Sequence, residues 1–448
     1  VSAKGRKVIL ATKLRIGDSN TVMAEGGIQA AIGEDDSPQI HFEDTVRAGH
    51  FFSDRQLAAQ LAISAPKTIR WLIEQGMSFD REDSTSLSSK LLRKKPGGAT
   101  RARILSFKDY TGLEMMRVLR EAVELDDRIE VWNRSPLIEL LSDEDGHCVG
   151  GVIYDLNTKK FILVRASKVI LATGGVGRLH LNHFPTSNHY GATADGLVLA
   201  YRMGAKLREI DSYQYHPTGV AWPSFRLGGL ISEAARSAGA YLLNGLGQRF
   251  IDELAPRDIV SSAILKECAE GRGIEREGCV GVFLDIPDLE RRNPGILKKR
   301  LVSLAHLGKQ CELDLTQEPV MVRPTLHYQN GGVAIDENGL SSVPNLYCVG
   351  EMSGGIHGKN RMMGNALQEI ITFGRRAGEH AADTATHYPA PKVGLFHLYN
   401  WQRELILANL PTNIYGPILF PEYGNFNLHE EIHRKKDHKN ALKPSHSA

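Results

Sequence analysis

The stretch V-M-V-R-P-T-L-H-Y-Q-N-G-G-V-A-I-D (Val320–Asp336) and the nearby N-L-Y-C-V-G-E-M-S-G-G-I-H-G-K-N-R-M-M-G-N-A-L-Q-E (Asn345–Glu369) decide how this chain reads. The second begins as an apolar strand, Asn345 to Val349, which Gly350-Glu351 stops. A glycine-rich loop carrying Lys359 and Arg361 follows, and a long helix is predicted from near Gly364. Such a strand–loop–helix leaves unpaired backbone N–H groups and a positive dipole end at the helix start. That end suits an anionic or electron-rich ring system. His327 and Arg361 flank the loop as two donors for a carboxylate, which arginine can bind bidentately.

Around this stretch lie 448 residues, 42% of them hydrophobic, enough for a sizeable core and more than one domain. A net charge of +2 gives no sign of nucleic-acid binding, whereas a small anionic substrate needs only a local positive patch. No apolar run is long enough to span a membrane, and no signal peptide opens the sequence. Cys148, Cys268, Cys279, Cys311 and Cys348 are scattered, with no C-x-x-C pair. The pattern predicts neither a disulfide framework nor an iron–sulfur cluster held by this chain, and points to a reducing, cytoplasmic compartment.

From the N-terminus, K-V-I-L-A-T (Lys7–Thr12) reads as a buried strand, and Ser19–Ala31 as a small-residue turn entering a short helix. Residues 41–80 carry apolar positions at helical spacing, and Arg81–Lys95 reads as a polar surface loop. A helix is expected over Thr111–Ala122 and a small antiparallel excursion over Arg128–Val164. Lys168–Arg178 reads as a second buried strand, running into Thr173-Gly174-Gly175, with a helix from Gly196. Pro256 and Asp258 mark a helix start, for which capping alone is a sufficient explanation. A short helix is expected over His397–Asn409. His429 and His433 stand at i,i+4, a metal-like spacing, but the tail reads as solvated and partly disordered rather than as a metal site.

P-T-L-H-Y-Q-N-G-G, G-E and H-G-K-N-R-x-x-G-N-A-L closely resemble the flavoprotein subunits of fumarate reductase and succinate dehydrogenase, and their relative L-aspartate oxidase. The resemblance runs in ordered blocks from about Gly5 to about Ala382. It implies an α/β fold: a Rossmann-like FAD-binding domain in two parts (1–215 and 327–390) and an inserted α+β capping domain (216–326). A C-terminal extension (391–448) follows. The family's first strand, G-x-G-x-x-G turn and helix, about 30 residues of βαβ unit, are not seen ahead of Lys7.

The resemblance implies FAD contacts from Lys13, Ser19, Thr21, Gly26 and Gly27, then from Thr173, Gly174, Gly175 and Asp195. Further contacts are implied from Glu351, Gly364, Asn365, Ala366 and Leu367. Where membrane-bound members carry a histidine bonded covalently to flavin, this chain has Asn20, so FAD is expected to be held non-covalently. Glu25 stands where glutamine is usual. His216, Ser232, His327 and Arg361 are expected to bind a C4-dicarboxylate, with Arg257 protonating the carbon opposite the hydride and Glu233 reloading it.

Pro96-Gly97-Gly98-Ala99-Thr100 replaces the E-G-G-H-S usual in L-aspartate oxidases, which counts against an amino-acid substrate. The resemblance thus implies fumarate reduction. Its rivals are L-aspartate oxidation or the activity of another dicarboxylate-acting family member, and a catalytically silent role in assembly. Electrons are expected from an iron–sulfur or other electron-transfer partner, through which any membrane association would come. No metal site is expected.

Overall fold

Apolar runs punctuated by glycine and polar turns set the order of elements. The first part of the chain carries β1 (Val8–Ala11), β2 (Ile28–Gln29), α1 (Pro38–Ala48), α2 (Arg55–Glu74), β3 (Ile104–Leu105), α3 (Thr111–Glu124) and β4 (Ile129–Trp132). It continues through β5 (Leu137–Ser142), β6 (Cys148–Asp155), β7 (Lys160–Arg165), β8 (Val169–Leu171), α4 (Asp195–Arg202) and β9 (Leu207–Arg208). The middle holds β10 (Tyr213–Val220), α5 (Glu233–Ser237), β11 (Tyr241–Leu243), α6 (Arg257–Ala269), β12 (Ile274–Arg276) and β13 (Cys279–Asp285). There follow α7 (Ile286–Arg292), α8 (Ile296–Lys299), α9 (Val302–Gln310) and β14 (Val320–Gln329). The last part adds β15 (Gly332–Ala334), β16 (Leu346–Cys348), β17 (Ser353–Gly354), α10 (Asn365–Thr384) and α11 (Phe396–Leu407). This computed structural model describes residues 1–179, 184–385 and 392–412, all within one compact unit, Val1–Pro417. His429 and His433, and most of the expected C-terminal extension, lie outside the described residues.

Antiparallel pairing builds the middle into a sheet of order β10-β14-β13-β11, with β12 on β13. Its buried face packs Val220, Leu242, Val282, Leu284 and Val322 against Val260 and Ile264 of α6 and Leu289 of α7. That core draws only on residues 220–322. The remaining segments form the body of the fold, where β1 pairs with β4 and β8 with β16, both in parallel. The loop before α10 and the N-terminus of that helix lie where body and cap meet.

Several expectations are corrected. Residues 41–80 form two helices, because Gly49 ends α1 and the side chain of Asp54 caps α2 by accepting from the N–H groups of Gln56 and Leu57 (3.0 and 3.3 Å). Along α2, Leu57, Leu61, Ala65, Ile69 and Leu72 follow helical spacing and are buried. The strand at Lys7–Thr12 is not buried: its residues alternate between half-buried and exposed, because it lines an open cavity. In β8, Val169 and Ile170 are half-buried for the same reason, while Leu171 is buried. The segment Arg128–Val164 is not one antiparallel unit, since its first strand, β4, pairs in parallel with β1 and only β5-β6-β7 form the antiparallel sheet.

Candidate active site

A single cavity of about 1520 Å³ runs from β1 and β8, past the turn at Ser19–Gly27, to the inner face of the cap. Of the fourteen cofactor contacts expected, twelve line it. Lys13 binds Asp195 (2.6 Å) and the Thr193 hydroxyl (2.6 Å), tying the end of β1 to the start of α4. Ser19, Thr21, Gly26, Gly27, Thr173, Gly174 and Glu351 follow along the wall, and Gly364, Ala366 and Leu367 bring in the start of α10. Gly175 and Asn365 do not line it. A Cβ at Gly175 would meet the Glu351 carboxyl at 2.3 Å, so that glycine lets Glu351 pack beneath the strand end. Asn365 is fully buried and turned into the body, hydrogen-bonded to His41 (2.9 Å) and Thr45 (3.0 Å).

The cavity is larger than the ~300–1,000 Å³ of ordinary ligand pockets, so a four-carbon acid would leave most of it empty. Gly174 sits at φ +78° with nothing within 4 Å of where a Cβ would stand, a cradle open to a close-lying ligand. The helix start at Gly364, the strand ends and this cradle fit a dinucleotide. FAD in this place would rest on Lys13, Gly174, Asp195 and the α10 N-terminus.

The far end of the cavity gathers His216, Ser232, Glu233, Arg257, His327 and Arg361, which is every substrate-site residue expected from the sequence. His216 on β10 and His327 on β14 come from paired antiparallel strands, and their rings meet edge-on with centroids 5.1 Å apart. The Thr218 N–H donates to Nδ1 of His216 (3.3 Å), so Nε2 carries that ring's proton. His327 Nδ1 pairs with the Ser187 hydroxyl at 2.8 Å. Burial, reinforced by the charge of Arg257, pushes both histidines well below their usual range. Both rings are therefore neutral, and the Nε2–H of His216 is a donor. Ser232 caps α5, its oxygen accepting from the Ala234 N–H (3.3 Å), which leaves its hydroxyl proton for a ligand.

Glu233 is no surface residue. Only 3% exposed, it accepts from Arg257 Nε (3.0 Å) and from the Gly97 N–H (2.9 Å), with Arg236 at 3.5 Å. Burial opposes its ionisation, but Arg257, Arg236 and the Gly97 N–H outweigh that and hold it at about 2. Asp258 does not cap α6; its carboxylate instead takes Asn360 (3.1 Å) and His50 (3.0 Å). Arg361 stacks over the Tyr328 ring at 4.2 Å, and its buried Nε has no hydrogen-bond partner. Burial and the neighbouring Arg257 lower it to about 10, so it stays cationic at neutral pH.

Sequence reasoning missed Gln214. Its Oε1 accepts from both Arg257 Nη1 (3.1 Å) and Arg361 Nη2 (3.2 Å), while its Nε2 donates to Asn360 (2.8 Å) and to the Arg361 carbonyl (2.6 Å). The signal was present: two residues before His216 on one strand, the two side chains share a face. The Pro96–Thr100 loop is fixed by Asp44, which accepts from the Thr100 N–H (2.9 Å) and hydroxyl (2.8 Å) and is fully buried against Arg103 (2.8 Å).

A dinucleotide-sized cleft ending in two buried arginines and two neutral histidines defines an FAD-dependent oxidoreductase. Residues 1–367 match the FAD binding domain family, and the chain belongs to that family, among fumarate reductase flavoproteins and L-aspartate oxidases. It is 40% identical over 389 residues to a fumarate reductase (CoM/CoB) polypeptide of Methanothermobacter marburgensis, covering 84% of this chain and 68% of that protein. It is 36% identical over 381 residues to an L-aspartate oxidase of Synechocystis, covering 82% and 65%. Among solved structures, a mutant E. coli quinol fumarate reductase FrdA superposes with a TM-score of 0.79 at 29% identity, over 92% of this chain and 71% of that one. The chain thus spans about two thirds of the length of its relatives.

Proposed function

We propose that this chain reduces the double bond of a C4-dicarboxylate, most simply fumarate to succinate, with residues 216–326 as the cap over an FAD body of 1–215 and 327–390. The observation that carries the reading is the pair of buried arginines, both held by Gln214 at the end of an FAD-sized cavity. Bound FAD supplies the hydride. Arg361, with its unpartnered Nε, and the neutral side chains of His216, His327 and Ser232 hold the two carboxylates and stabilise charge building on one of them. Arg257 gives the proton to the other alkene carbon, so one hydride and one proton make succinate. An arginine is a poor acid in water, but Glu233 at 3.0 Å can return the proton from solvent. FAD is held non-covalently, since an amide at Asn20 cannot form the link. The similar proteins include subunits of fumarate reductases. We therefore assign the electron supply to a partner protein, of iron–sulfur or other electron-transfer type.

The test is flavin reoxidation by fumarate in Arg257→Ala and Arg361→Ala, beside fumarate or malonate binding read by flavin absorbance. Arg257→Ala should lose at least the ~10²–10⁴-fold typical of general acid catalysis and keep dicarboxylate binding. Arg361→Ala should weaken binding at least about tenfold, since charge-assisted hydrogen bonds contribute about 1.5–3 kcal/mol. Loss of binding at full maximal rate in Arg257→Ala would overturn the assignment.

A further inference from the structure

Arg361 is buried, yet its hydrogen bond and its ring contact are both to neutral groups. Its Nη2 donates to the Gln214 amide oxygen (3.2 Å), its Nε has no partner, and its guanidinium carbon lies 4.2 Å from the centre of the Tyr328 ring. A cation so poorly solvated needs a counter-charge. The Tyr328 hydroxyl leads to one: it donates to Oε2 of Glu369 at 2.6 Å, and Glu369, on α10, is fully buried. The same oxygen meets Nε2 of buried His357 (2.7 Å), while Oε1 lies 3.2 Å from the Ser353 hydroxyl. His357 does not cancel the carboxylate. Its Nδ1 is buried without a partner, and an imidazolium would leave an N–H unpaired there. Tyr328 and Arg361 line the main cavity, whereas Glu369 and His357 do not.

We propose that Glu369 is a positioning residue for the substrate, holding Arg361 cationic and in place through the Tyr328 ring. The inference rests on the reading of Arg361 as a carboxylate binder. A carboxylate paired directly with this arginine would occupy the N–H fork that a dicarboxylate must take. Set one ring away, the same charge competes for none of those donors. The hydroxyl that donates to Glu369 is polarised by it, which makes the ring face more negative and strengthens its hold on the cation. Burial and Arg257 push Arg361 down to about 10, and Tyr328, Glu351 and Glu369 act against that fall.

The test removes the charge and keeps the shape. Glu369→Gln retains an oxygen for the Tyr328 hydroxyl, and Tyr328→Phe retains the ring while breaking the link. In holoenzyme of equal flavin content, each should weaken malonate binding about three- to tenfold at neutral pH, read by calorimetry. The KM for fumarate should rise by the same factor, with the maximal rate within about threefold. Lost packing could do as much, so two further readouts decide. Malonate binding falls away at high pH as Arg361 loses its proton, and in Glu369→Gln that fall should begin about half a unit lower, since a nearby anion favours the cation. The other groups facing Arg361 are Arg257, Tyr328 and Glu351. Glu351, at about 7, is ionised before this range, and Tyr328, raised well above its usual value, keeps its proton. In an Arg361→Ala background, moreover, Glu369→Gln should add no further loss, because its effect runs through that arginine. An unmoved fall or an additive loss would show that Glu369 only packs, and would end the proposal. If Glu369→Gln does not fold, Tyr328→Phe in the same background decides. Should Arg361→Ala itself keep malonate binding, the carboxylate-site reading fails; should it alone lose binding, only the role of Glu369 fails.

Discussion

Gln214 solves a problem that charge alone would worsen. Two buried guanidinium groups repel each other, and a carboxylate between them would cancel the field meant for the substrate. A neutral amide oxygen accepting from both, at 3.1 and 3.2 Å, fixes their directions without adding negative charge; Arg257 already pairs with Glu233 (3.0 Å), so the charge left free of a carboxylate contact is that of Arg361. At the same scale, Asn20 lies at the cavity wall, its side-chain oxygen accepting from the His189 N–H. It has no ring nitrogen with which to bond flavin. Acid or denaturant should therefore release all the flavin from the purified protein, and fluorescence remaining with the denatured chain would contradict the non-covalent assignment.

At the scale of the element, the start of α10 depends on one backbone angle. Gly364 lies at φ +84°, and a Cβ there would stand 2.4 Å from the Ile104 side chain and 3.1 Å from the Gln29 N–H nitrogen. Left-handed backbone costs a residue with a side chain about 1–2 kcal/mol, and the collision with β2 and β3 adds to it. Gly364→Ala should lower the melting temperature by a few degrees, as ~1 kcal/mol shifts Tm by about one degree in a chain this long, and should weaken FAD binding. An unchanged Tm with normal flavin content would show that the loop can reshape. The strand–loop–helix here was readable because glycine, periodicity and polar punctuation are local. What Asn365 does was not readable, since its partners His41 and Thr45 lie more than 300 positions earlier.

Across the whole molecule, buried ionisable groups make stability depend on pH in opposed directions. Burial lowers His41 from 6.5 to about 4, so the unfolded chain takes up protons that the fold refuses and stability falls as pH drops from about 6.5 to 4. His216 and His327 act with the same sign. Glu25 moves the other way: burial, opposed by its Ser303 hydrogen bond and reinforced by Asp109, raises it from 4.5 to about 7. Its raised value means that stability is fully present below pH 4.5 and is lost as pH rises to about 7. Glu25→Gln removes that loss. It should stabilise the protein at pH 8 by up to about 3 kcal/mol, at ~1.4 kcal/mol per unit, and change little at pH 4. Denaturant midpoints at the two pH values check this, and equal effects at both would show that Glu25 titrates normally.

From the sequence came the class of fold and, through its resemblance to ordered family motifs, the six residues expected to hold substrate, which the structure gathers along one cavity. Tertiary structure decided what depends on neighbours distant along the chain. Pairing of β10 with β14 set the two histidines against each other, burial made them neutral, the nearby arginines depressed Glu233, and the fold placed Gln214 between two charges. A residue's identity fixes which protons and lone pairs it has. Only the packed chain fixes where they point, and how little water remains to screen them.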